Sequence, residues 1–217
     1  MKIKWFGQSA FLLTSQQGTV ILIDPFGRRF LGYRIPELRA DIVAVTHDHR
    51  DHNQVQVVQG QVELVNQPEH YSIKDIDIQG TPTFHDNVGG AKRGNNIVFV
   101  FTVDGLRICH TGDLGHILTD EQVESIGKVD VLMLPVGGKG STLDGVGATE
   151  VMRQLQPTIA IPMHYSTKAL GLLGRILFDR EDKFLKVAGY PGTEVKELNI
   201  SQDSLEDYRG VVTFQYK

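Results

Sequence analysis

The chain has 217 residues, 22 Lys and Arg against 26 Asp and Glu, and a formal net charge of −4. Charges balanced in this way give no basic footprint for gripping a phosphate backbone, and no apolar run approaches the ~18 residues of a membrane span, so neither nucleic acid nor membrane is expected as a partner. The length suits one domain over 1–217, Met1 to Gly7 lacks the apolar core of a signal peptide, and the single Cys109 rules out an internal disulfide framework, which predicts a soluble cytoplasmic protein.

Short β-like runs separated by turn residues fill the first half: Lys2 to Phe6, Ala10 to Thr14, Val20 to Ile23, Ile42 to Val45, Val62 to Val65 and Ile76 to Gln79. Asn95 to Val103 and Leu106 to Cys109 flank Asp104-Gly105, a pair that favours a type I′ turn and predicts a hairpin. Cys109, in an apolar run, reads as a packed thiol rather than a nucleophile. Thr119 opens a helix: it can cap the chain while Gln122 reaches back, Leu118 and Val123 form a hydrophobic staple, and Gly127 ends it. Val129 to Leu134 is a buried strand closing at Pro135. Thr149 to Gln156 is a helix with Val151, Met152 and Leu155 on one face, halted by Pro157. Ile159 to Ile161 is a further strand. Leu170, Leu173 and Leu177 then recur at helical spacing, but Gly171 and Gly174 interrupt them, which leaves a weak helix or a mobile flap. Strands in both halves, with helices after them, predict an α/β fold of two sheets packed together and covered by helices.

The chemistry concentrates in Thr46-His47-Asp48-His49-Arg50-Asp51-His52, directly after the strand at Ile42 to Val45. Imidazoles and carboxylates crowded onto a strand-end loop suit a divalent transition metal. If His47 and His49 share one ion, a third ligand has to come from elsewhere, and His85 in Thr83-Phe84-His85-Asp86 is the leading choice. Asp51 and His52 are then free to build a second site. Asp113, in His110-Thr111-Gly112-Asp113, offers two oxygens able to bridge two cations, and His164 follows Ile161-Pro162-Met163 at another strand end. His70 and His116 read as surface or structural groups, and His110 falls between the two kinds. Lys92, Arg93, Lys139 and Lys168 stand near these segments and read first as solvated surface charge, with contact to an anionic substrate as the second reading.

The order of these residues resembles the metallo-β-lactamase superfamily, whose His-x-His-x-Asp-His motif is followed by single His, Asp and His residues. Trp5-Phe6-Gly7-Gln8-Ser9, Leu22-Ile23-Asp24-Pro25-Phe26, Pro135-Val136-Gly137-Gly138 and Pro162-Met163-His164-Tyr165 narrow the resemblance to the branch of L-ascorbate-6-phosphate lactonase and N-acyl-phosphatidylethanolamine phospholipase D type enzymes, from residue 1 to about residue 190. It implies a four-layer αββα sandwich of two mixed sheets. It also implies two divalent metal ions, zinc first with manganese or iron as alternatives: His47, His49 and His85 around one, Asp51, His52 and His164 around the other, Asp113 between them. One position departs from the pattern. Gln8 stands where that branch often has His, and Gln exchanges hydrogen bonds but does not titrate, so a proton-transfer role fails here while an orienting role survives.

The implied activity is hydrolysis of a phosphoester or lactone of a small metabolite by a hydroxide held between the metals, because paired ions acidify water and stabilise developing negative charge. Asp51 is the expected proton shuttle to the leaving group, and Asp24 the carboxylate that orients a ligand histidine. Two other functions compete: a mononuclear iron dioxygenase on the same fold, and a metal-binding protein without turnover. Association into a homo-oligomer stays open.

Overall fold

The computed structural model describes residues 1–216. The first half of the chain runs through β1 (Lys2–Gly7), β2 (Ala10–Thr14), β3 (Val20–Ile23), the small hairpin of β4 (Arg29–Phe30) and β5 (Tyr33–Arg34), β6 (Ile42–Ala44), β7 (Glu63–Val65), β8 (His70–Ile73), β9 (Ile76–Phe84) and β10 (Asn95–Val103). The second half holds β11 (Leu106–His110), α1 (Asp120–Ile126), β12 (Val131–Pro135), α2 (Gly145–Leu155), β13 (Ile159–Met163), α3 (Gly171–Leu177), α4 (Glu181–Ala188), β14 (Thr193–Val195), β15 (Leu198–Asn199) and β16 (Gly210–Phe214).

Apart from β4 and β5, which pair only with each other, these strands form two mixed sheets, six-stranded in the order β15-β1-β2-β3-β6-β7 and eight-stranded in the order β14-β16-β13-β12-β11-β10-β9-β8. The period of two along each strand sorts the side chains. Ile21 and Ile23 of β3 and Ile42 and Ala44 of β6 join one apolar core with Val98, Phe99, Met133 and Ile161 of the larger sheet, so the sheets share a common interior. Leu22 and Val43 point the other way, into a second cluster with Phe26, Tyr33, Val57 and Leu170. Helices α1, α2 and α4 lie on the larger sheet, against β9, β12 and β13 respectively. This is the mixed α/β sandwich that the element pattern predicts.

The Asp104-Gly105 turn has φ of 52° and 77°, the left-handed pair a type I′ turn requires. Helix α1 begins at Thr119 with both capping-box bonds present and stops at Gly127. Two expectations are corrected, and the choice left open after Leu170 resolves to a helix. Strand β9 runs past Gln79 to Phe84, because beyond Gln79 it pairs only with β10 and Pro82 needs no donor on its open side. Helix α2 starts at Gly145 rather than Thr149, since Asp144 accepts hydrogen bonds from the backbone N–H of Val146 (3.1 Å) and Gly147 (2.9 Å) and offsets the weak helix propensity of the glycines. The glycines around Leu173 do not prevent a helix. A Cβ on Gly174 would lie 2.3 Å from the Leu170 Cβ, so this glycine permits close packing of α3 on the preceding turn.

Candidate metal centre

Every residue singled out for metal chemistry lies just beyond a strand: His47 to His52 after β6, His85 after β9, Asp113 after β11 and His164 after β13. Parallel pairing of β3 with β6, and of β11, β12 and β13 with one another, brings these ends to one edge of the sandwich. Four of the eight non-glycine residues with positive φ among the described residues also stand there: Gln8, Asp24, Lys139 and His164. Such backbone is costly for a side-chain-bearing residue, on the order of 1–3 kcal/mol, and persists only where its surroundings over-determine it.

The seven residues converge. One oxygen of Asp113, Oδ2, lies 3.2 Å from Nε2 of His85, 3.2 Å from Nε2 of His164, 3.4 Å from Nε2 of His52 and 3.9 Å from Nε2 of His47. The rings of His47, His49 and His85 form a triangle with centroids 4.6 to 5.1 Å apart. Asp51, His52 and His164 form a second group whose donor atoms all lie within 4.8 Å of one another. Asp51 Oδ2 is 3.6 Å from His52 Nε2. Asp113 thus stands between the two groups.

Behind the ligand atoms runs a fixed hydrogen-bond frame. The buried Asp24 carboxylate accepts from His52 Nδ1–H (2.9 Å), from the Thr46 backbone N–H (2.8 Å) and from the Thr46 hydroxyl (2.7 Å). The Thr46 oxygen in turn accepts from His47 Nδ1–H at 3.0 Å. One carboxylate therefore orients a histidine of each group, directly for His52 and through Thr46 for His47. This fixes both tautomers with Nε2 facing inward. Asp113 is held by its own N–H donating to Asn96 Oδ1 (3.0 Å) and by the Ser9 hydroxyl donating to its Oδ1 (3.3 Å). His110 donates from Nε2–H to the Ser9 carbonyl (2.9 Å) and accepts the Gly112 N–H at Nδ1 (3.2 Å), so it shapes the turn that carries Asp113. Gly112 is obligatory in that turn: at its φ of 57° a Cβ would come within 2.3 Å of Asn96 Oδ1.

Asn96, Ser9 and Thr46 escape a search for ligand types because their part is to hold ligands. Asn96 alone carries a weak signal, an amide beside Asn95 at the head of an apolar run. Lone histidines elsewhere are structural or exposed. His116 accepts the Phe84 N–H and donates to the Ile117 carbonyl, and His70 is exposed on β8.

The donor set fits metal cations on two observations. Nε2 of His47 and of His52, which face the Asp113 carboxylate, are buried with no hydrogen-bond partner, whereas buried nitrogen in folded proteins is nearly always paired. The charges agree. Burial by itself would raise the carboxyls of Asp24, Asp51 and Asp113, yet the neighbouring imidazoles hold all three below the usual carboxylate range. Burial, reinforced by His52, pushes His47 down to about 3, and burial also lowers His49. Burial would likewise lower His52, but Asp113 and Asp24 raise it well above its ordinary value. Three ionised carboxylates beside two imidazoles held neutral, His47 and His49, call for positive charge. Cys109 is fully buried and its thiol is pushed up by that burial, so it takes no part.

The cavity over these atoms has a volume of about 310 Å³ and is also lined by Gln8, Arg93, Lys139, Ser141, Leu177 and Phe178. A larger cleft of about 790 Å³ adjoins it, sharing His49 and Arg93, with Val55, Leu64, Pro68, Phe84 and Ile97 on its walls.

A sandwich of mixed sheets with a His and Asp cluster at its strand ends is the architecture of a metallo-β-lactamase fold protein. The Beta-lactamase superfamily domain profile matches residues 2–164. Among curated proteins, the UPF0173 metal-dependent hydrolases of Carboxydothermus hydrogenoformans and Thermoplasma acidophilum are each 32% identical. The first aligns over 77% of this chain and 85% of its own length, the second over 90% and 94%. A crystal structure from Thermotoga maritima, assigned to the Zn-dependent hydrolases of the metallo-β-lactamase superfamily, superposes with a TM-score of 0.81 at 37% identity, covering 98% of this chain and 97% of its own. The chain belongs to the metallo-β-lactamase superfamily, and within it to the UPF0173 metal-dependent hydrolase family. No helix among the described residues is long and apolar enough to cross a membrane.

Proposed function

We propose that this chain hydrolyses a phosphoester or lactone of a small anionic metabolite with two divalent cations, zinc first and manganese or iron as alternatives. His47, His49 and His85 would hold one, Asp51, His52 and His164 the other, with Asp113 common to both. The observation that carries this reading is the single Asp113 oxygen facing imidazoles of both groups. Membership of a family of metal-dependent hydrolases supports it. Divalent cations so bound supply Lewis acidity and bring the pKa of a bound water toward about 7.

The protein's own groups do the rest. Asp51 borders the cavity and, steadied by the Gln8 amide at 3.3 Å, is placed to take a proton and pass it to the departing oxygen. Arg93 and Lys139 line the same cavity from facing loops. Arg93 Nε–H donates to the Gly140 carbonyl (3.0 Å), and the Lys139 ammonium donates to the carbonyls of Arg175 (2.6 Å) and Ile176 (3.0 Å). Each keeps further N–H groups for an anion after these ties are made, and neither is paired with a carboxylate among the described residues.

Metal analysis of purified protein, followed by a screen of sugar-phosphate lactones beside phosphodiesters, tests the reading. Two zinc or manganese ions per chain and turnover of one substrate class are expected. One iron per chain with oxygen consumption would instead establish a dioxygenase, and full metal loading without turnover a binding protein.

A further inference from the structure

We infer that Gln8 is a specificity-determining residue whose side-chain carbonyl receives a hydroxyl or N–H group carried by the substrate beside the scissile bond, while its amide nitrogen positions Asp51. The inference rests on the hydrolase reading above and adds the chemistry of the substrate at one point of the cavity.

Gln8 ends the turn from β1 toward β2 in a left-handed conformation (φ 53°) and is only 1% exposed. Its backbone carbonyl accepts from Trp5 Nε1–H at 2.9 Å and from the His164 N–H at 3.2 Å, so the residue is fixed from two sides and aimed into the cavity it lines. The side chain meets Asp51 Oδ2 at 3.3 Å. A carboxylate oxygen only accepts, so the atom facing it has to be the amide nitrogen, and chemistry rather than a choice of rotamer assigns the other atom as oxygen. That oxygen, Oε1, is buried and has no partner in the protein.

Other donors line the cavity. None of them bonds to Oε1: the Ser141 hydroxyl donates to the Gly138 carbonyl at 2.8 Å, and Arg93 and Lys139 are tied at the rim with their remaining N–H groups left for an anion. A substrate that presents an ester or phosphate oxygen to Oε1 would set two acceptors against each other, whereas a hydroxyl or N–H completes it. Sites built to bond a substrate hydroxyl reject analogues lacking it, because the protein's own polar group is then stranded. Gln8 therefore selects a hydroxylated or N–H-bearing metabolite over a bare ester. It does so without titrating, which separates it from a histidine at the same place.

The test is a ratio of two ligands differing by one hydroxyl. Glycolate and acetate are titrated calorimetrically into zinc-loaded wild type, Gln8→Asn and Gln8→Met. Asn tolerates the left-handed backbone but falls one methylene short, and Met keeps the length but loses the carbonyl. Wild type should prefer glycolate, and both variants should lower that preference by about tenfold or more. Because the ratio is measured on one preparation, partial metal loss cancels. An equal preference in wild type and variants, as chelation by the metals alone would give, overturns the assignment, and so does a wild type that binds both ligands alike. Turnover of α-hydroxy-γ-butyrolactone and γ-butyrolactone is measured in parallel. A Gln8-dependent glycolate preference without turnover of any ester or lactone would reject the hydrolase reading and leave the assignment of Gln8 standing.

Discussion

The floor of the site and its rim are built by opposite means. The floor (Asp24, Thr46, His47, His52, Asp113 and Asn96) is buried, and its hydrogen bonds are aimed by strands on either side, so each imidazole has one allowed orientation. The rim (residues 86–94, residues 138–143 and α3) is largely exposed, and its segments are tied to one another by single long side chains reaching for carbonyls. A metal demands ligand positions good to a fraction of an ångström, which only a rigid buried frame supplies, while substrate recognition tolerates adjustable side chains at a solvated edge.

Changes to the floor should therefore abolish function, and the largest effect is expected at Asp113. Asp113→Ala removes the one group common to both histidine groups and leaves four imidazole nitrogens facing a cavity. Metal content should drop by about half or more, and turnover by roughly 10³-fold. Metal content and rate both near those of the wild type would show that Asp113 is not shared.

Asp24→Ala comes next and acts without touching a ligand position. It strands the Nδ1–H of His52 and both donors of Thr46 in the interior, at a cost of about 3–5 kcal/mol of stability, and frees both rings to rotate. Metal affinity should fall about 10- to 100-fold. Thermal melts with and without zinc separate the two effects, since a purely structural role would lower both melting points equally.

The difference between floor and rim also decides what the sequence reveals. Residue types able to ligate a metal are few, so the candidates His47, His49, Asp51, His52, His85, Asp113 and His164 stand out by type and order even before their convergence is seen. The frame behind them is built from ordinary polar residues, and nothing in Ser9 or Asn96 announces a partner about a hundred or seventeen positions away. The short strands β4, β5, β8, β14, β15 and β16 escape notice for a related reason: in such short runs strand formation depends on the neighbours each one meets in the fold. By contrast, α1 is legible because its capping box and staple are local.

Changes to the rim should alter recognition and leave the metals in place. Arg93→Met keeps the apolar stem and removes the guanidinium that stands where the two cavities meet. KM for an anionic substrate should rise about tenfold, roughly 1.4 kcal/mol, with a smaller change in kcat. If kcat falls and KM holds, Arg93 acts on the transition state and belongs functionally with the floor.

The mildest expected effect lies at Asp86, which shapes the rim loop from within. Its two carboxylate oxygens accept four backbone N–H groups, from Val88 (2.9 Å) and Gly90 (2.8 Å) at Oδ1 and from Lys92 (2.8 Å) and Arg93 (2.8 Å) at Oδ2. Desolvation works to raise this carboxyl, but the four donors outweigh it and lower it from 3.8 to about 2. A group whose pKa is depressed on folding stabilises above its unfolded value, so the clamp is complete above about pH 4 and is lost as pH falls through about 2. Asp86→Asn offers one accepting oxygen and turns an N–H toward two of the donors. Protection of those four amides against hydrogen exchange, followed in metal-free protein, should fall between pH 4 and 2 in wild type and be low and flat in the variant. Equal protection in both proteins across that range would mean that the glycines at 89, 90 and 94, rather than the carboxylate, set the shape of the rim.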